Sequence, residues 1–345
     1  MSTMAKAKAS ELDWNKLGFG YRDLPYSWQE EYYDGEWLGG GLTSESNLVL
    51  NEAAQVLHYG QEVFEGLKAY RTKDGKVQLF RPEENAKRLN DSADRLMMPH
   101  YPVDKFLAAV KAVVKANEDF VPPYGTGGTL YLRPYMIGTQ PLVGVTPSEH
   151  FVFRIYATPV GAYVKGLTPM PYVLSKYDRA APAGTGRAKT SGNYAASLLP
   201  EMEAKKAGYA DALYLDPKEH KYVDEFSGAN FFGVTKDGQF VTPKSDSILP
   251  SITKRSLLQV AEDLGLNPVE KRLTLADLDD LAEAGAMGTA AVISPVGSLT
   301  DWDGKKHVFY SETEVGPVTT KLYNALFAVQ VGDAEDKHGW VVPVD

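Results

Sequence analysis

Residues 184–199 read GTGRAKTSGNYAASLL, a run of small residues that leaves one lysine, Lys189, uncrowded. The aromatic hydroxyl of Tyr194 follows five positions later. The run follows a predicted strand at 172–175 and continues into a predicted helix at 194–206. A chain that alternates strands and helices in this way folds as a mixed sheet packed against helices. We therefore predict an α/β protein whose chemistry lies at this loop.

Strand and helix patterns alternate along the rest of the chain. Alternating apolar and aromatic runs predict further strands at 48–50, 77–80, 129–133, 151–158, 212–215, 231–235 and 290–294. Apolar residues three to four apart predict further helices at 83–97, 253–264 and 275–282. The stretch 159–171, PVGAYVKGLTPMP, holds three prolines and two glycines, more than the interior of an element tolerates. We predict a small N-terminal α/β domain over 1–158, an interdomain linker over 159–171 and a larger C-terminal domain over 172–345.

The composition excludes several classes of protein. A net charge of −9 and the lack of a basic run argue against nucleic acid as a partner. There are no cysteines, and the six histidines lack close ligand spacing, so we predict no metal site. The N-terminal residues do not resemble a secretory signal, and no apolar run reaches the roughly 18 to 20 residues of a membrane span. We therefore predict a cytoplasmic enzyme with no membrane partner.

Lys189 suggests a specific cofactor. A lysine amine forms a Schiff base with an aldehyde when its surroundings favour the neutral amine, and the aldehyde we predict is pyridoxal phosphate. This cofactor also requires a donor at its phenolic oxygen and an acid at its ring nitrogen. Tyr194 can be the donor. Glu225, at the end of a short predicted strand in YVDEFSGANFF (222–232), can be the acid. Taken alone, Lys189 is an ordinary surface lysine and Glu225 an exposed turn acid beside Asp224.

The start of one predicted helix suits the phosphate of this cofactor. Residues 248–258 read ILPSITKRSLL, which predicts a helix introduced by Ser251 with free backbone N–H groups at Ile252 and Thr253. Helix N-termini bind anions because their first N–H groups have no partner within the helix. The alternative is that Ser251 is only an N-cap, and both interpretations can hold together.

A tight turn and an arginine complete the predicted phosphate site. The small residues at 288–290 predict a turn at which Thr289 and Ala290 can reach a phosphate or a substrate carboxylate. Arg88, on the predicted helix 83–97, can supply positive charge. Its alternative is a surface ion pair with Glu84, four residues earlier.

Together these segments resemble the branched-chain amino acid aminotransferases, which are pyridoxal phosphate enzymes of fold type IV. The resemblance covers HYGQEVFEGLKAYR (58–71), LFRPEENAKRLNDSADRL (79–96), LYLRPYMIGTQPLVGV (130–145), GTGRAKTSGNYAAS (184–197), the stretch 225–254 and GTAAVISPVG (288–297). It implies a two-domain fold with the cofactor at the domain interface. It also implies Lys189 as the Schiff-base lysine, Tyr194 at the phenolic oxygen and Glu225 at the ring nitrogen. The implied phosphate contacts are Arg88, Ile252, Thr253 and Thr289.

The resemblance further implies a pocket that accepts both an apolar side chain and glutamate. Its apolar wall would be formed by Tyr59, Phe64, Tyr131 and Tyr194, and its cation for the distal carboxylate would be Arg133. A cation is required because burying a carboxylate without a partner costs roughly several kcal/mol of binding free energy, about as much as breaking a buried ion pair. Judged as strand residues only, Tyr131 belongs to the core and Arg133 to the surface.

Two further expectations follow from the same resemblance. Val143 and Val145 correspond to residues that complete the pocket of a neighbouring subunit, which implies a homodimer. Animal members of the family carry a CxxC redox pair, and this chain has Ala291 and Ser294 at the matching positions. Thiol regulation of that kind is therefore excluded.

The activity implied is reversible transfer of the amino group of leucine, isoleucine or valine to 2-oxoglutarate, giving branched 2-oxo acids and glutamate. D-amino acid aminotransferases and aminodeoxychorismate lyases of the same fold type share the cofactor residues and remain alternatives. A non-catalytic pyridoxal phosphate-binding module is a third. The segments EGLKAYR and RPYMIGTQPLVGV favour the branched-chain activity.

Overall fold

The structure, a computed structural model, describes residues 5–161 and 167–344. Its helices are α1 Gln55–Tyr59, α2 Pro82–Arg95, α3 Val103–Ala116, α4 Ser191–Lys206, α5 Ile252–Asp263 and α6 Pro317–Val331. Its strands are β1 Ser27–Tyr33, β2 Glu36–Trp37, β3 Gly41–Thr43, β4 Glu62–Phe64, β5 Leu67–Arg71, β6 Val77–Phe80, β7 Thr129–Gly138, β8 Phe151–Val160, β9 Met170–Leu174, β10 Ala212–Leu215, β11 Val223–Phe226, β12 Asn230–Thr235, β13 Phe240–Pro243, β14 Val269–Lys271, β15 Leu281–Gly288, β16 Val292–Thr300, β17 Lys306–Val308 and β18 Val341–Pro343. None of the helices in these two ranges has both the length and the apolar character that a membrane span requires.

The first sheet is antiparallel and packs against α2 and α3. Its strand order is β18-β6-β5-β7-β8-β1-β2, with β3 beside β1 and β4 beside β7. Helix α2 begins at Pro82, a residue favoured at the first helical position, and has acids in its first turn. Its apolar residues, among them Leu89, join Phe106 of α3 and Phe153 of β8 in one buried core. Burying each such side chain contributes about 2 kcal/mol.

The second sheet closes into a ring. Strands β9, β10, β11, β12, β15 and β16 each pair with the next, and β16 returns to β9. Strands β13, β14 and β17 extend this barrel. Closure pairs backbone groups that an open sheet would leave at its edges. The barrel encloses an apolar core that includes Tyr172, Leu213, Phe226 and Phe231.

The described chain divides into two compact units. The first unit takes in the described residues of 1–163, 188–191 and 328–345, and the second those of 164–187 and 192–327. The C-terminal residues lie in the first unit because β18 pairs with β6 and the Arg81 N–H donates to the Trp340 carbonyl at 2.7 Å. The sequence predicts them in the C-terminal domain, since a strand of three residues has no pattern to detect. Residues 162–166 of the predicted linker lie outside the described residues, and its ends fall in β8 and β9.

Most predicted elements are confirmed. The helices at 83–97, 194–206 and 253–264 are α2, α4 and α5, and the strands at 77–80 and 212–215 have the predicted bounds. The predictions at 129–133, 151–158, 172–175 and 231–235 correspond to strands with shifted ends. The strand predicted from residue 290 begins at Val292, because residues 289–291 form the turn that joins β15 to β16.

Two predicted elements are wrong. Residues 48–50 form no strand, and Val49 is 99% exposed with no strand beside it to pair with in the described residues. Residues 275–282 form only a short 3₁₀ turn, Ala276–Asp280, before β15 begins at Leu281. The Asp277 carboxylate accepts the Thr274 N–H at 2.6 Å and so stabilises a single turn. Pairing of β15 with β12 and β16 then provides hydrogen-bond partners for the backbone N–H and C=O groups that would otherwise pair within a longer helix.

Candidate active site

Lys189 is held by its backbone in the first unit. Its N–H donates to Ser92 Oγ at 2.9 Å, and its carbonyl accepts the Phe64 N–H at 3.0 Å. The side chain is half-buried, and its Nζ lies 4.6 Å from the centre of the Phe64 ring. Just beyond it, the Ser191 N–H donates to Glu62 Oε2 at 2.9 Å. Burial raises the pKa of Glu62, and the positive charges of Arg133 and Lys189 oppose that rise. The predicted lysine therefore lies among aromatic and charged groups rather than on an open surface.

Arg133 and Tyr131 lie beside the same phenylalanine. The Arg133 Nη2 donates to the Tyr131 hydroxyl at 2.9 Å, and its Cζ lies 4.7 Å from the centre of the Phe64 ring. The Nε of Arg133 is buried and has no hydrogen-bond partner in the described part of the chain. The assignment of Arg133 to the surface is wrong, because residues two apart on a strand share a face. Gly66 is required here, since a Cβ at that position would lie 2.3 Å from the Tyr131 hydroxyl.

Arg88 forms an ion pair that the sequence did not indicate. Its guanidinium donates two hydrogen bonds to Glu65, Nε to Oε1 at 2.7 Å and Nη2 to Oε2 at 2.8 Å, and both side chains are buried. Asn85 Nδ2 also donates to Glu65 Oε2, at 2.7 Å. The alternative of a surface ion pair is wrong, because the Arg88 side chain is buried and pairs with the buried Glu65. This paired geometry holds the guanidinium in a fixed orientation.

Tyr59, Val143 and Val145 lie at an exposed surface of the first unit. The Tyr59 hydroxyl donates to the Val143 carbonyl at 2.5 Å, so α1 and the loop after β7 are joined there. These three side chains are 43%, 90% and 85% exposed, and Leu57 of α1 is 56% exposed. We call these four residues the α1 apolar patch. Exposure of this kind is unusual for residues that wall a pocket within one chain.

Glu225 of the second unit is the centre of a buried hydrogen-bond network. Its Oε1 accepts from Arg179 Nη1 at 2.8 Å and from the Leu249 N–H at 3.0 Å, and its Oε2 accepts from Asn230 Nδ2 at 3.0 Å. Arg179 is also buried. The alternative of an exposed turn acid is wrong for both Glu225 and Asp224, which are 3% and 5% exposed. Donors on both oxygens, one of them a guanidinium, hold the carboxylate in a fixed orientation.

Arg179 links this carboxylate to Tyr194. Its Cζ lies 5.6 Å from the centre of the Tyr194 ring, and its Nε donates to the Ser227 carbonyl at 3.3 Å. No sequence pattern marks Arg179, which lies in a loop ten residues before Lys189. Its role is evident from its ion pair with the buried Glu225 carboxylate.

The residues of the second unit that are predicted to bind the phosphate lie near the Glu225 network. Ser251 accepts the Lys254 N–H at 3.1 Å and caps α5, which leaves the first-turn amides of Ile252 and Thr253 for another acceptor. Ser251 follows Leu249, the residue whose N–H meets Glu225, by two positions. A Cβ on Gly288 would lie 3.7 Å from the Gly228 carbonyl, so the turn beginning there lies beside the β11–β12 connection.

That turn carries Thr289 and Ala290. Both are half-buried, and the turn ends at Val292, whose φ of 64° is strained for a β-branched residue. The Ile293 N–H donates to the Ala291 carbonyl at 2.8 Å and closes the turn. Strained backbone of this kind costs about 1–3 kcal/mol and is concentrated at functional sites.

Asp211 is linked to Arg179 through Ser227, which hydrogen-bonds to both. The burial of Asp211 predicts a pH dependence of stability. It accepts from Ser227 Oγ at 2.6 Å, and burial raises its pKa from 3.8 to about 6. The folded chain therefore binds the proton more tightly, and the wild-type free energy of unfolding falls by about 3 kcal/mol as the pH rises through this interval. Asp211→Asn lacks this titrating group. The free energy of unfolding of the variant minus that of wild type should therefore be about 3 kcal/mol greater at pH 7 than at pH 3.5. Urea unfolding at both pH values measures the difference, and an unchanged difference would contradict the assignment.

The chain matches the family described as amino-transferase class IV over residues 62–299. The chain belongs to the class IV aminotransferases. Among these enzymes, the branched-chain-amino-acid aminotransferase of Haemophilus influenzae is 53% identical over 97% of this chain and 99% of its own length. The enzyme of the same name from Helicobacter pylori is 44% identical over 96% of this chain and 98% of its own length. Within class IV, the chain is therefore a member of the branched-chain amino acid aminotransferases.

Solved structures of this class have the same fold. The branched-chain amino acid aminotransferase of Escherichia coli matches with a TM-score of 0.77 at 31% identity, over 92% of this chain and 99% of its own. That of Thermobaculum terrenum, solved in its PLP form, matches with a TM-score of 0.78 at 26% identity, over 93% of this chain and 98% of its own. The predicted fold type IV architecture with mixed sheets and two compact units is confirmed.

The cofactor class follows from the family. A further branched-chain aminotransferase with the same fold was solved with pyridoxamine 5′-phosphate, at a TM-score of 0.77 and 30% identity. A class IV aminotransferase is an enzyme that uses a cofactor of the pyridoxal phosphate type.

Proposed function

We propose that the chain transfers the amino group of leucine, isoleucine or valine to 2-oxoglutarate, with pyridoxal 5′-phosphate attached to Lys189. The observation that carries this proposal is the placement of Lys189 beside Phe64, Tyr131 and Arg133. Such a set combines an amine, apolar rings and one cation, which are the groups needed to receive first an aliphatic and then an acidic amino acid. The family to which the chain belongs supports the same substrates.

The donor groups suit pyridoxal phosphate. Lys189 would bind its aldehyde, Glu225 its ring nitrogen and Tyr194 its phenolic oxygen, while Arg88, Ile252, Thr253 and Thr289 would hold its phosphate. When bound, this cofactor supplies an aldehyde that combines with amines and a ring that accepts electrons. The chemistry of these residues agrees with that need, because a carboxylate held by Arg179 and Asn230 is a fixed negative charge. The N-terminus of α5 suits a phosphate dianion.

The residues of the chain divide the proton transfers between them. Once the amino group of the substrate has displaced Lys189 from the aldehyde, the freed Lys189 amine would take the α proton of the amino acid and return it to the cofactor. Glu225 would keep a proton on the ring nitrogen, since a carboxylate stabilises a protonated ring. The Tyr194 hydroxyl would donate to the phenolic oxygen. Thr289 and Ala290 would hold the substrate carboxylate. Because the 2-oxo acid would leave before 2-oxoglutarate binds at the same residues, ping-pong kinetics are expected.

Arg133 explains how one pocket could accept leucine and glutamate. Its unpartnered buried Nε and its place beside Phe64 would allow it to meet a distal carboxylate next to an apolar wall. Arg133→Ala should therefore lower kcat/KM for glutamate by about 100-fold, since a hydrogen bond to a charged group contributes about 1.5–3 kcal/mol. Leucine should lose no more than about fivefold. Steady-state kinetics with both substrates measure the ratio.

Arg133→Lys provides the matched control for this prediction. It keeps the charge and should restore part of the activity with glutamate. Equal losses for glutamate and leucine in Arg133→Ala would mean that Arg133 only supports the fold.

A homodimer is the proposed assembly. The α1 apolar patch supports it, because exposed valine, leucine and tyrosine side chains that lie together are typical of protein interfaces. We expect sedimentation to give twice the chain mass, and Val143→Asp with Val145→Asp to shift the protein towards monomer. A wild-type monomer at micromolar concentration would contradict the assembly.

Two assays test the activity itself. Purified protein should be yellow, and leucine with 2-oxoglutarate should yield glutamate and 4-methyl-2-oxopentanoate. D-alanine as the better amino donor would favour the D-amino acid aminotransferase, and release of pyruvate from aminodeoxychorismate would favour the lyase. A bound cofactor without turnover of any of these substrates would favour the non-catalytic module. The cytoplasmic location stays a prediction from the sequence.

A further inference from the structure

A polar cavity lies on the side of β11 opposite to the Glu225 network. Neighbouring residues of a strand point to opposite faces, so Asp224 faces away from the Glu225 network. There it borders a cavity of about 410 Å³, within the range of small-molecule sites, roughly 300–1,000 Å³. The charged and aromatic residues that line this cavity are Asp216, Lys218, Tyr222, Asp224, Lys244, Asp246 and Arg272.

Asp224 has an unused acceptor there. The side chain is 95% buried, its Oδ2 accepts from Ser247 Oγ, and its Oδ1 has no hydrogen-bond partner in the described ranges. Burial raises the pKa of Asp224. A buried carboxylate oxygen without a donor is costly, and such groups are rare unless a ligand or water completes them.

The other charged groups of the cavity differ in how far they are already occupied. Arg272 stacks on Tyr222, with its Cζ 3.4 Å from the ring centre, and pairs with Glu219 at 2.9 Å. Asp216 accepts three backbone N–H groups. Lys218 and Lys244 are exposed, and their ammonium groups have no ion pair or hydrogen bond within the described residues. Asp246 is also exposed, and its carboxylate lies 3.8 Å from Arg187 Nη1. The groups left for a ligand are therefore the Asp224 oxygen and the two ammonium groups.

We propose that this cavity binds an α-amino acid in its zwitterionic form. The Asp224 carboxylate turns its unpartnered Oδ1 into the cavity and accepts from the ligand's ammonium group, and the ligand's carboxylate accepts from Lys218 or Lys244. An apolar side chain lies against Pro182 and Pro217, which also line the cavity. The pairing satisfies the buried oxygen with a charged donor, the strongest type of hydrogen bond available to it.

The cavity is separate from the Glu225 network but is held by the same segment. Ser247 bonds Asp224 on one face of β11, and the Leu249 N–H bonds Glu225 on the other. Both faces can therefore be occupied at once. A ligand in the cavity would order residues 245–249, which lead into the N-terminus of α5.

The test uses holoenzyme reduced with borohydride, in which the cofactor cannot exchange with added amino acids. Mass analysis of the Lys189 peptide first verifies the reduction, so a failure of the proposed function is recognised separately. Titration calorimetry should then find one leucine per chain. Lys218→Met with Lys244→Met should weaken this binding at least tenfold while leaving the turnover of unreduced enzyme unchanged. Lys73→Met with Lys115→Met, two exposed lysines of the first unit, makes the same charge change and should bind as wild type.

Two comparisons identify the role of Asp224. The 2-oxo acid 4-methyl-2-oxopentanoate lacks the ammonium group and should bind at least tenfold more weakly than leucine. Asp224→Asn should remove that preference. Equal binding of the two ligands to wild type, or unchanged leucine binding in the Lys218→Met/Lys244→Met protein, overturns the proposal. Both results are independent of whether Asp224→Asn folds.

Discussion

Lys189→Ala is expected to lower the rate of leucine transamination by at least about 10⁴-fold. The substitution removes the amine that holds the cofactor and the base that moves the α proton, and general bases alone contribute about 10²–10⁴-fold. The backbone bonds of residue 189 to Ser92 and Phe64 do not involve the side chain, so the loop should keep its conformation. Coupled assays of glutamate formation measure the rate, and peptide mass analysis after borohydride treatment should find the pyridoxyl group only in wild type.

Two controls separate the loss of chemistry from the loss of fold. Lys73→Ala, at an exposed turn, should retain full activity. Added methylamine should restore a small part of the Lys189→Ala rate, because a free amine can replace the missing base. Full turnover by Lys189→Ala, or a pyridoxyl adduct on another lysine, would exclude residue 189 as the attachment site.

Local patterns were sufficient for much of the fold. Helix α2 was predictable because Pro82 and the acids after it form a helix start that is visible in the sequence. Strand β15 was not, since Leu281 and its neighbours have no clear alternation and are ordered by pairing with β12 and β16. The ring of strands in the second sheet was equally invisible, because the β16–β9 pairing joins residues more than a hundred positions apart.

The residues of the candidate site divide in the same way, into those that local sequence patterns indicate and those that only contacts distant in sequence reveal. Lys189, Tyr194 and Glu225 could be proposed because small residues around each of them are visible in the sequence. Arg179 could not, since its role depends on a buried ion pair formed across 46 residues. Glu65 is a similar case, because its pairing with Arg88 spans 23 residues. Acids that are buried with arginines look like surface acids when only the sequence is considered.

Glu225 carries the second large effect. Its carboxylate is buried against Arg179 and Asn230, so its negative charge is fixed where a protonated ring nitrogen would need it. Glu225→Gln keeps the size of the side chain, removes that charge and replaces one of the two accepting oxygens with an amide donor. Losing one preorganised electrostatic contact in a buried site typically costs about 10²–10³-fold in rate, and this is the loss in kcat that we expect for leucine.

Stability must be measured beside activity, because Glu225→Gln also leaves the Arg179 guanidinium without its counter-ion. Breaking a buried pair in this way costs about 3–5 kcal/mol of folding free energy, so kinetics are measured well below the unfolding temperature of the variant. Glu225→Asp retains the charge at a greater distance and should give an intermediate rate. Glu262→Gln, an exposed position on α5, should match wild type in both rate and stability. If Glu225→Gln loses stability but keeps kcat within about threefold, Glu225 holds Arg179 in place and takes no part in the electronic chemistry of the cofactor.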